Sequence, residues 1–302
     1  MKKRLLLSFI LLLTIKSVVA QSAPSVVVSI KPIHSIVTAL MSGITEPQLL
    51  LKSSNSAHTF HLKPSQVQML ADADLVIIIS EDFESGLRKA IKNIEDDSLF
   101  QIISLNNLSI HNSRSEILKS KEHDDADEHE DNIYDLHLWL DINNMKLIAK
   151  HINKLLIKID PVNEDKYNNN FLELMLDLEE LKIDLEKEID PFLASQFAVF
   201  SDTTQYFDKS MNLIRPIIVT PYHGARLSII RTLVAKKAMS DLNVSCLLYG
   251  QEAKPNQINV LSEGLSLKTF EIDILGTKYP AGPDQYFNLM KRISRQFASC
   301  LK

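Results

Sequence analysis

The feature that most constrains the fold is a long amphipathic stripe in the middle of the chain. The stripe repeats at spacings of four, three, four, three and four positions, through Tyr167, Phe171, Leu174, Leu178, Leu181 and Leu185. This spacing keeps the apolar side chains on one face of an α-helix. Asp160-Pro161 predicts the start of the helix and Pro191 its end, about 45 Å away at 1.5 Å per residue. A helix of this length predicts a rigid spine between two lobes.

On both sides of this spine, short apolar runs alternate with helical patterns. Before it, strands are predicted at 25–30, 48–51, 75–79 and 101–105, and helices at 33–41, from Pro64 and at 83–94. After it, strands are predicted at 197–200, 214–220, 244–249 and 269–274, and helices at 206–211, 227–239, 256–265 and 284–301. Such alternation is typical of a parallel sheet covered by helices.

We therefore predict an α/β fold with two parallel-sheet lobes. The N-terminal lobe spans 21–157, the linking helix 158–190 and the C-terminal lobe 191–302. Ligands of open α/β sheets bind outside the carboxyl ends of the strands, so the cleft between the lobes is the expected binding site.

The first twenty residues have the pattern of a secretory signal peptide. A basic start at 2–4 precedes an apolar run at 5–15, and Val18 and Ala20 stand three and one positions before a predicted cut at Gln21. The apolar run is about half of the roughly 20 residues that a membrane span needs. We expect an exported protein without stable membrane insertion, and an N-terminal anchor helix is the alternative.

Charge and cysteine content exclude some classes of protein. With 33 Lys and Arg against 38 Asp and Glu, the net charge of −5 argues against a general nucleic-acid binder, which needs a basic face. Two cysteines are too few for a disulfide-rich mini-fold or a zinc site made of cysteines alone. In an oxidising compartment Cys246 and Cys300 are expected to pair, which would stabilise the fold by roughly 4 kcal/mol. Two buried free thiols are the alternative.

Residues 106–134 interrupt the alternation with an acidic, histidine-containing loop. Its stretch 122–131 holds seven acids, one alanine, and His123 and His129. Without an apolar face it is expected to be a solvated loop. Acids and histidines at this density collect divalent cations weakly and can pass them to the cleft, so an auxiliary metal-handling role is one interpretation. A tolerated surface insertion is the alternative.

Three residues at junctions between loops and regular elements could bind a metal ion. His58 precedes the helix that starts at Pro64, His137 begins the ordered segment after the acidic loop, and Asp273 ends a predicted strand. Two imidazoles and a carboxylate suit Zn²⁺, or Mn²⁺ or Fe²⁺ where oxygen donors dominate. Each residue by itself also has an ordinary interpretation, as a surface histidine or a turn-forming aspartate.

Longer segments resemble a known family. They read SIKPIHSIV, NSAHTFHLKPSQVQMLADADLVI, DLHLWLD, FAVFSDTTQYF, SCLLYGQEAKPNQI, EIDILG and ASCLK. They resemble the zinc- and manganese-binding solute receptors of ABC importers (cluster A-I), and most of all the periplasmic zinc receptors, over essentially the whole mature chain. The resemblance implies a periplasmic receptor that captures Zn²⁺, with Mn²⁺ as the other candidate ion, and delivers it to an inner-membrane ABC permease. We expect a monomer. The resemblance also places Cys246 and Cys300 where that family has its disulfide.

The resemblance implies a ligand set one residue at a time. His58 matches the first ligand histidine, His137 the second and Asp273 the late carboxylate. The third histidine belongs to a Phe-His-Asp-x-x-x-Tyr-Phe pattern, but this chain has Ser201 in its place. A neutral hydroxyl is a poor donor for Zn²⁺.

The loss of that histidine leaves three hypotheses open. A water held by Ser201 or Asp202 completes the site, His123 or His129 swings in from the acidic loop, or the protein has drifted to another metal or to weak binding. We expect Asp202 and His34 to orient the ligand side chains without binding the ion themselves. For His34, a helix-surface or capping role is the alternative.

The sequence also allows other functions. A manganese or iron receptor, a metal-dependent adhesin of the same fold, and a degenerate receptor with weakened metal binding would share these residues. A secreted metal-dependent hydrolase needs an open coordination position and a nearby base. Glu252 is the one base we considered, with nothing to support it. The chain has no H-E-x-x-H or G-x-S-x-G motif, and we predict that it is not an enzyme.

Overall fold

The computed structural model describes residues 23–51, 60–114, 134–220 and 227–302 of the 302-residue chain. The strands in these ranges are β1 (Val26–Val28), β2 (Gln48–Leu49), β3 (Leu75–Ile78), β4 (Leu99–Gln101), β5 (His111–Asn112), β6 (Tyr134–Asp135), β7 (Ala198–Ser201), β8 (Ile217–Thr220), β9 (Cys246–Tyr249) and β10 (Lys268–Glu271). The α-helices are α1 (Lys31–Leu40), α2 (Pro64–Ala71), α3 (Arg88–Ile91), α4 (Ile142–Ile159), α5 (Glu164–Ile189), α6 (Gln205–Ser210), α7 (Ile229–Asp241), α8 (Pro255–Ser262) and α9 (Gln285–Leu301).

Two parallel sheets confirm the predicted α/β class. The first has the order β2-β1-β3-β4 and the second β10-β9-β7-β8, with every pairing parallel. The first strand of each sheet therefore lies between its second and third strands. The second and third strands thus lie on opposite sides of the first, which makes the gap between the first and third strands the point where the strand order reverses. The crevice at the carboxyl ends of these two strands is the expected ligand position in each sheet.

The central stripe forms the predicted helix, α5, which has 26 residues. Its stripe is buried except for Phe171, which is only partly covered. A short 3-10 turn over Pro161–Asn163 precedes the helix, where the Asp160 carboxylate accepts a hydrogen bond from the Tyr167 hydroxyl at 3.0 Å. Helix α5 packs against α1, α4 and α9, so it contacts helices from both sides of the chain.

The two halves also contact each other directly, because α1 packs on α9. The Ser35 hydroxyl donates to the Pro283 carbonyl at 2.7 Å and accepts from the Tyr286 N–H at 3.0 Å. The Tyr286 hydroxyl in turn donates to the Trp139 carbonyl at 2.8 Å. One continuous cluster of buried hydrophobic residues thus joins the two sheets through the helices between them. This shared core opposes a wide rotation of one half against the other.

The predicted disulfide is confirmed. Cys246 in β9 and Cys300 in α9 are bonded, with their Cα atoms 5.4 Å apart, and both are fully buried. The bond ties a strand in the middle of the second sheet to the last helix.

Two predicted elements near residue 90 were wrong. The predicted helix 83–94 is a turn, a 3-10 turn over Ser85–Leu87 and the short α3. Glu84 turns its carboxylate into the core, and a Cβ at Gly86 would overlap with the Phe60 carbonyl, so a regular helix does not fit here. The predicted strand 101–105 is β4, which ends at Gln101 and continues as a 3-10 turn.

A two-stranded antiparallel ribbon, which the sequence did not predict, lies at the two ends of the acidic segment. Strand β5 pairs with β6, with His111 opposite Asp135 and Asn112 opposite Tyr134. Residues 115–133, with His123 and His129, lie outside the described residues. None of the helices in the described ranges combines the length and the apolar character that a membrane span needs.

Candidate metal centre

His137 has the geometry of an oriented metal ligand. It lies between β6 and a 3-10 turn, and its side chain is buried. The Asp135 Oδ1 atom accepts hydrogen bonds from the His137 backbone N–H at 3.0 Å and from its Nδ1 at 2.7 Å. A carboxylate at this distance holds the proton on Nδ1, so in the neutral ring Nε2 carries the lone pair that a metal ion needs. The rings of Phe83 and Trp139 lie edge-on to the imidazole at 5.8 and 5.4 Å and fix its plane.

Asp273 lies just beyond β10 and is also buried. Its Oδ1 accepts from the Leu275 N–H at 3.2 Å and its Oδ2 from the Thr277 hydroxyl at 2.7 Å. The Trp139 Nε1–H donates to the Ile274 carbonyl at 2.8 Å. This bond ties the segment of His137 to the segment of Asp273, because one partner follows His137 by two residues and the other follows Asp273 directly.

Ser201 is the last residue of β7, and its hydroxyl donates to the Glu252 Oε1 atom. Ser201 is buried, whereas Glu252, in the turn after β9, is partly exposed. From the sequence, Glu252 is a candidate only for the base of an enzyme and has no link to Ser201. No local signal pointed to this pair, because 51 positions separate the two residues.

Asp202 belongs to a buried ion-pair cluster. The Arg114 guanidinium donates to both of its carboxylate oxygens, from Nε at 2.8 Å and from Nη2 at 2.5 Å, and Nη2 also donates to Asp208 at 2.8 Å. Burial raises the pKa of Asp208 to about 7 despite its contact with Arg114. Both oxygens of Asp202 are thus engaged by Arg114, a residue that the sequence analysis missed.

His34 is buried within the first half of the chain. Its Nε2 lies 3.0 Å from the Pro47 carbonyl and its Nδ1 lies 3.3 Å from the Thr38 hydroxyl. Burial lowers the pKa of the His34 imidazole, which favours the neutral ring. Neither of these two partners is a predicted ligand, and the supporting role of His34 stays a prediction.

Tyr206 joins the ribbon of β5 and β6 to the second half of the chain. This contact was not predicted from the sequence. Its hydroxyl donates to the Asp135 carbonyl at 2.8 Å and accepts from the His111 N–H at 3.1 Å. The His111 ring lies 4.7 Å from the ring of Tyr206. Helix α6 therefore fixes the backbone of Asp135, the residue that orients His137.

The predicted ligands are only partly covered by the described residues. His58 lies outside them, as do the loop histidines. Within 23–51, 60–114, 134–220 and 227–302, no three histidine, cysteine or acidic side chains come close enough together to hold an ion. The Trp139–Ile274 hydrogen bond joins the segments of His137 and Asp273, and Ser201 pairs with Glu252 beyond the carboxyl ends of β7 and β9.

Comparison with known sequences gives matches that cover most of the chain. The family model described as "ZnuA: Zinc-uptake complex component A periplasmic" matches residues 26–300. A protein of Yersinia pestis named "High-affinity zinc uptake system protein ZnuA" is 29% identical over 307 residues, covering 93% of this chain and 92% of the relative. A protein of the same name from Brucella abortus is 27% identical over 321 residues, covering 94% of each chain.

Comparison with solved structures gives the same fold. A crystal structure of ZnuA superposes with a TM-score of 0.76 at 20% identity, covering 93% of this chain and all of that one. The solute-binding protein FpvC of Pseudomonas aeruginosa in complex with Ni²⁺ superposes with a TM-score of 0.74 at 15% identity, covering 92% and 96%. The length of the family match, supported by the shared fold, shows that the chain belongs to the periplasmic zinc-uptake component A (ZnuA) family.

Proposed function

We propose that the protein captures Zn²⁺ in the periplasm and delivers it to the membrane permease of an ABC importer. The observation that carries the proposal is the buried Asp135–His137 pair, with 2.7 Å between the carboxylate and Nδ1. It orients Nε2 as a donor, and the Trp139–Ile274 hydrogen bond holds this segment beside that of Asp273. In this proposal His58 is the third ligand, with His137 and Asp273, that the chain shares with the ligand set of the family.

The remaining features follow from that role. A signal peptide at 1–20 exports the chain, the mature receptor acts as a monomer without membrane insertion or enzymatic activity, and the acidic loop collects cations near the site. The curated relatives named as high-affinity zinc uptake proteins support the choice of ion. Because α1 and α9 are packed together, capture depends on local rearrangement of side chains and turns rather than on wide closure of the lobes.

Competition with a chelator of known Zn²⁺ affinity tests the proposal on the metal-free protein. The wild type should bind one Zn²⁺ more tightly than micromolar, and His137→Ala should weaken binding by roughly 100-fold or more, since it removes a ligand whose supporting contacts alone are worth 10–100-fold. His151→Ala is the matched control, because this histidine lies on α4 with its ring against Phe100. Wild-type binding weaker than micromolar, or unchanged affinity in His137→Ala, would refute the proposal.

Ser201 favours a second candidate function, a Mn²⁺ or Fe²⁺ receptor. Loss of one imidazole makes the donor set richer in oxygen, which suits harder ions. The same titration with Mn²⁺ in place of Zn²⁺ separates the two functions.

A further inference from the structure

The same three residue types, Gln-Tyr-Phe, begin two helices in the second half of the chain. Helix α6 starts with Gln205-Tyr206-Phe207 and α9 with Gln285-Tyr286-Phe287. Both glutamines and both tyrosines are buried, at most 2% exposed. Buried polar side chains are kept in place by their hydrogen bonds, so the partners of these four residues show what the repeated triplet holds.

The two tyrosine hydroxyls bind the backbone on either side of His137. The Tyr206 hydroxyl donates to the Asp135 carbonyl and the Tyr286 hydroxyl to the Trp139 carbonyl, each at 2.8 Å. These carbonyls stand two residues before and two residues after the histidine. The stretch from Asp135 to Trp139, which we call the histidine segment, is therefore held at both ends by the second half of the chain.

The first turn of α9 also holds the turn that follows Asp273. The Gln285 Nε2 atom donates to the carbonyls of Leu275 and Gly276 at 2.8 and 3.2 Å. Residue 276 must be small here, because a Cβ on it would overlap with the glutamine amide. Since Tyr286 is the next residue, two neighbours on one helix fix the histidine segment and the Asp273 turn relative to each other.

The first turn of α6 holds the ribbon in a similar way. The Gln205 Nε2 atom donates to the Asn112 carbonyl on β5 at 3.2 Å. The Tyr206 hydroxyl contacts both strands, because it also accepts from the His111 N–H at 3.1 Å. Asp135, where the histidine segment begins, lies on the other strand, β6. Helix α6 thus fixes the strand from which the segment leaves the ribbon.

We propose that Tyr206 and Tyr286 are positioning residues for metal capture, which set the imidazole of His137 against the donors of the second half. The proposal rests on the proposed function. Each hydroxyl acts through a backbone carbonyl and not through contact with the ion. A ligand that is held in place before the ion arrives loses less conformational entropy on binding, so both hydroxyls raise the affinity for the metal.

Zn²⁺ competition titrations on phenylalanine variants of the mature protein test this role. Tyr206→Phe and Tyr286→Phe each remove one hydroxyl and keep the ring in the core. Since even a direct partner of a ligand is worth 10–100-fold, each variant should weaken Zn²⁺ binding by roughly threefold or more, and the double variant by roughly tenfold or more.

Tyr167→Phe is the matched control. It also removes a fully buried hydroxyl, which donates to the Asp160 carboxylate at 3.0 Å. Asp160 follows α4 whereas His137 precedes it, and this 18-residue helix is about 27 Å long at 1.5 Å per residue. The control should destabilise the fold as the other two variants do, because it loses a buried hydrogen bond, but it should leave Zn²⁺ binding unchanged.

Hydrogen exchange in the metal-free protein separates positioning from a general loss of stability. The His137 backbone N–H donates to the Asp135 carboxylate at 3.0 Å, so it reports the order of the histidine segment. This N–H should exchange faster in Tyr206→Phe and Tyr286→Phe than in the wild type, and at the wild-type rate in Tyr167→Phe. Saturating Zn²⁺ should slow its exchange again in both variants.

The possible results distinguish this inference from the proposed function. If His137→Ala abolishes tight binding but the double tyrosine variant binds Zn²⁺ as the wild type does, the receptor function stands and the positioning role is refuted. An equal loss of affinity in Tyr167→Phe, or wild-type exchange of the His137 N–H in the double variant, also refutes it. Absence of saturable Zn²⁺ binding by the wild type overturns both proposals.

Discussion

Protonation of the buried Glu84 carboxyl should make the stability of the metal-free protein depend on pH. Burial raises the pKa of Glu84 from 4.5 to about 7, although Ser29, Ile79 and Ser80 donate hydrogen bonds to it. A carboxyl whose pKa is higher in the folded state binds its proton more tightly there. The stabilisation is therefore complete below about pH 4.5 and is lost as the pH rises through about 7.

The expected magnitude follows from the size of that pKa shift. Each pKa unit corresponds to about 1.4 kcal/mol, so the free energy of unfolding should fall by about 3 kcal/mol over the whole range. Most of this loss should occur between pH 5 and pH 8.

Glu84→Gln isolates this contribution. The Ser80 N–H donates to Oε2 and the Ile79 N–H lies 3.1 Å from both oxygens, so in the neutral acid the proton lies on Oε1 and is donated to the Ser29 Oγ atom, which then accepts instead of donating. A glutamine places its NH₂ group in the position of that proton and cannot ionise. The difference in unfolding free energy between variant and wild type should therefore shift by about 2–3 kcal/mol, in favour of the variant, from pH 5 to pH 8.

Urea unfolding at pH 5, 6, 7 and 8 with a chelator present measures this difference. Trp139 is the only tryptophan and is fully buried, so its fluorescence reports the transition. Asp208, whose pKa burial also raises, titrates in both proteins and cancels in the difference. Glu263→Gln serves as the control for loss of an exposed charge. A difference that stays constant within about 0.5 kcal/mol across this range would show that Glu84 ionises in the folded protein as it does in the unfolded chain.

Two further predictions concern the buried ion pairs of Arg114 and the Cys246–Cys300 disulfide. Arg114→Ala leaves the buried carboxylates of Asp202 and Asp208 without their cation and should lower the unfolding free energy by about 3–5 kcal/mol at pH 7. A loss below about 1 kcal/mol in urea unfolding would contradict that reasoning. Replacing both Cys246 and Cys300 by serine opens a loop of 54 positions and should cost about 4 kcal/mol on the chain-entropy model. An unchanged unfolding midpoint under oxidising conditions, relative to the wild type, would be the contrary result.

The sequence by itself determined the parts of the structure that depend on local periodicity. The stripe on α5 repeats at the period of a helix and so indicates its buried face, whereas the short, continuous apolar run of β3 is typical of a parallel strand buried on both faces. The fold class follows from the order of those elements, and the single pair of cysteines left one intramolecular disulfide to form. Prediction was wrong at 83–94, where the buried carboxylate of Glu84 and the close contact of Gly86 with Phe60 overrode a helical pattern.

Only the tertiary structure decided how the candidate site is supported. Arg114 meets Asp202 across 88 positions, Trp139 meets Ile274 across 135, and Ser201 meets Glu252 across 51. None of these pairs lies within a helical turn or a strand repeat, so no periodic pattern predicts it. The strand orders and the packing of α1 on α9 bring the partners together, and burial then requires their polar groups to be hydrogen-bonded. The sequence therefore pointed to His137 and Asp273 as candidate donors, while the folded chain decided which groups hydrogen-bond to them and which carboxylate lies beside Ser201.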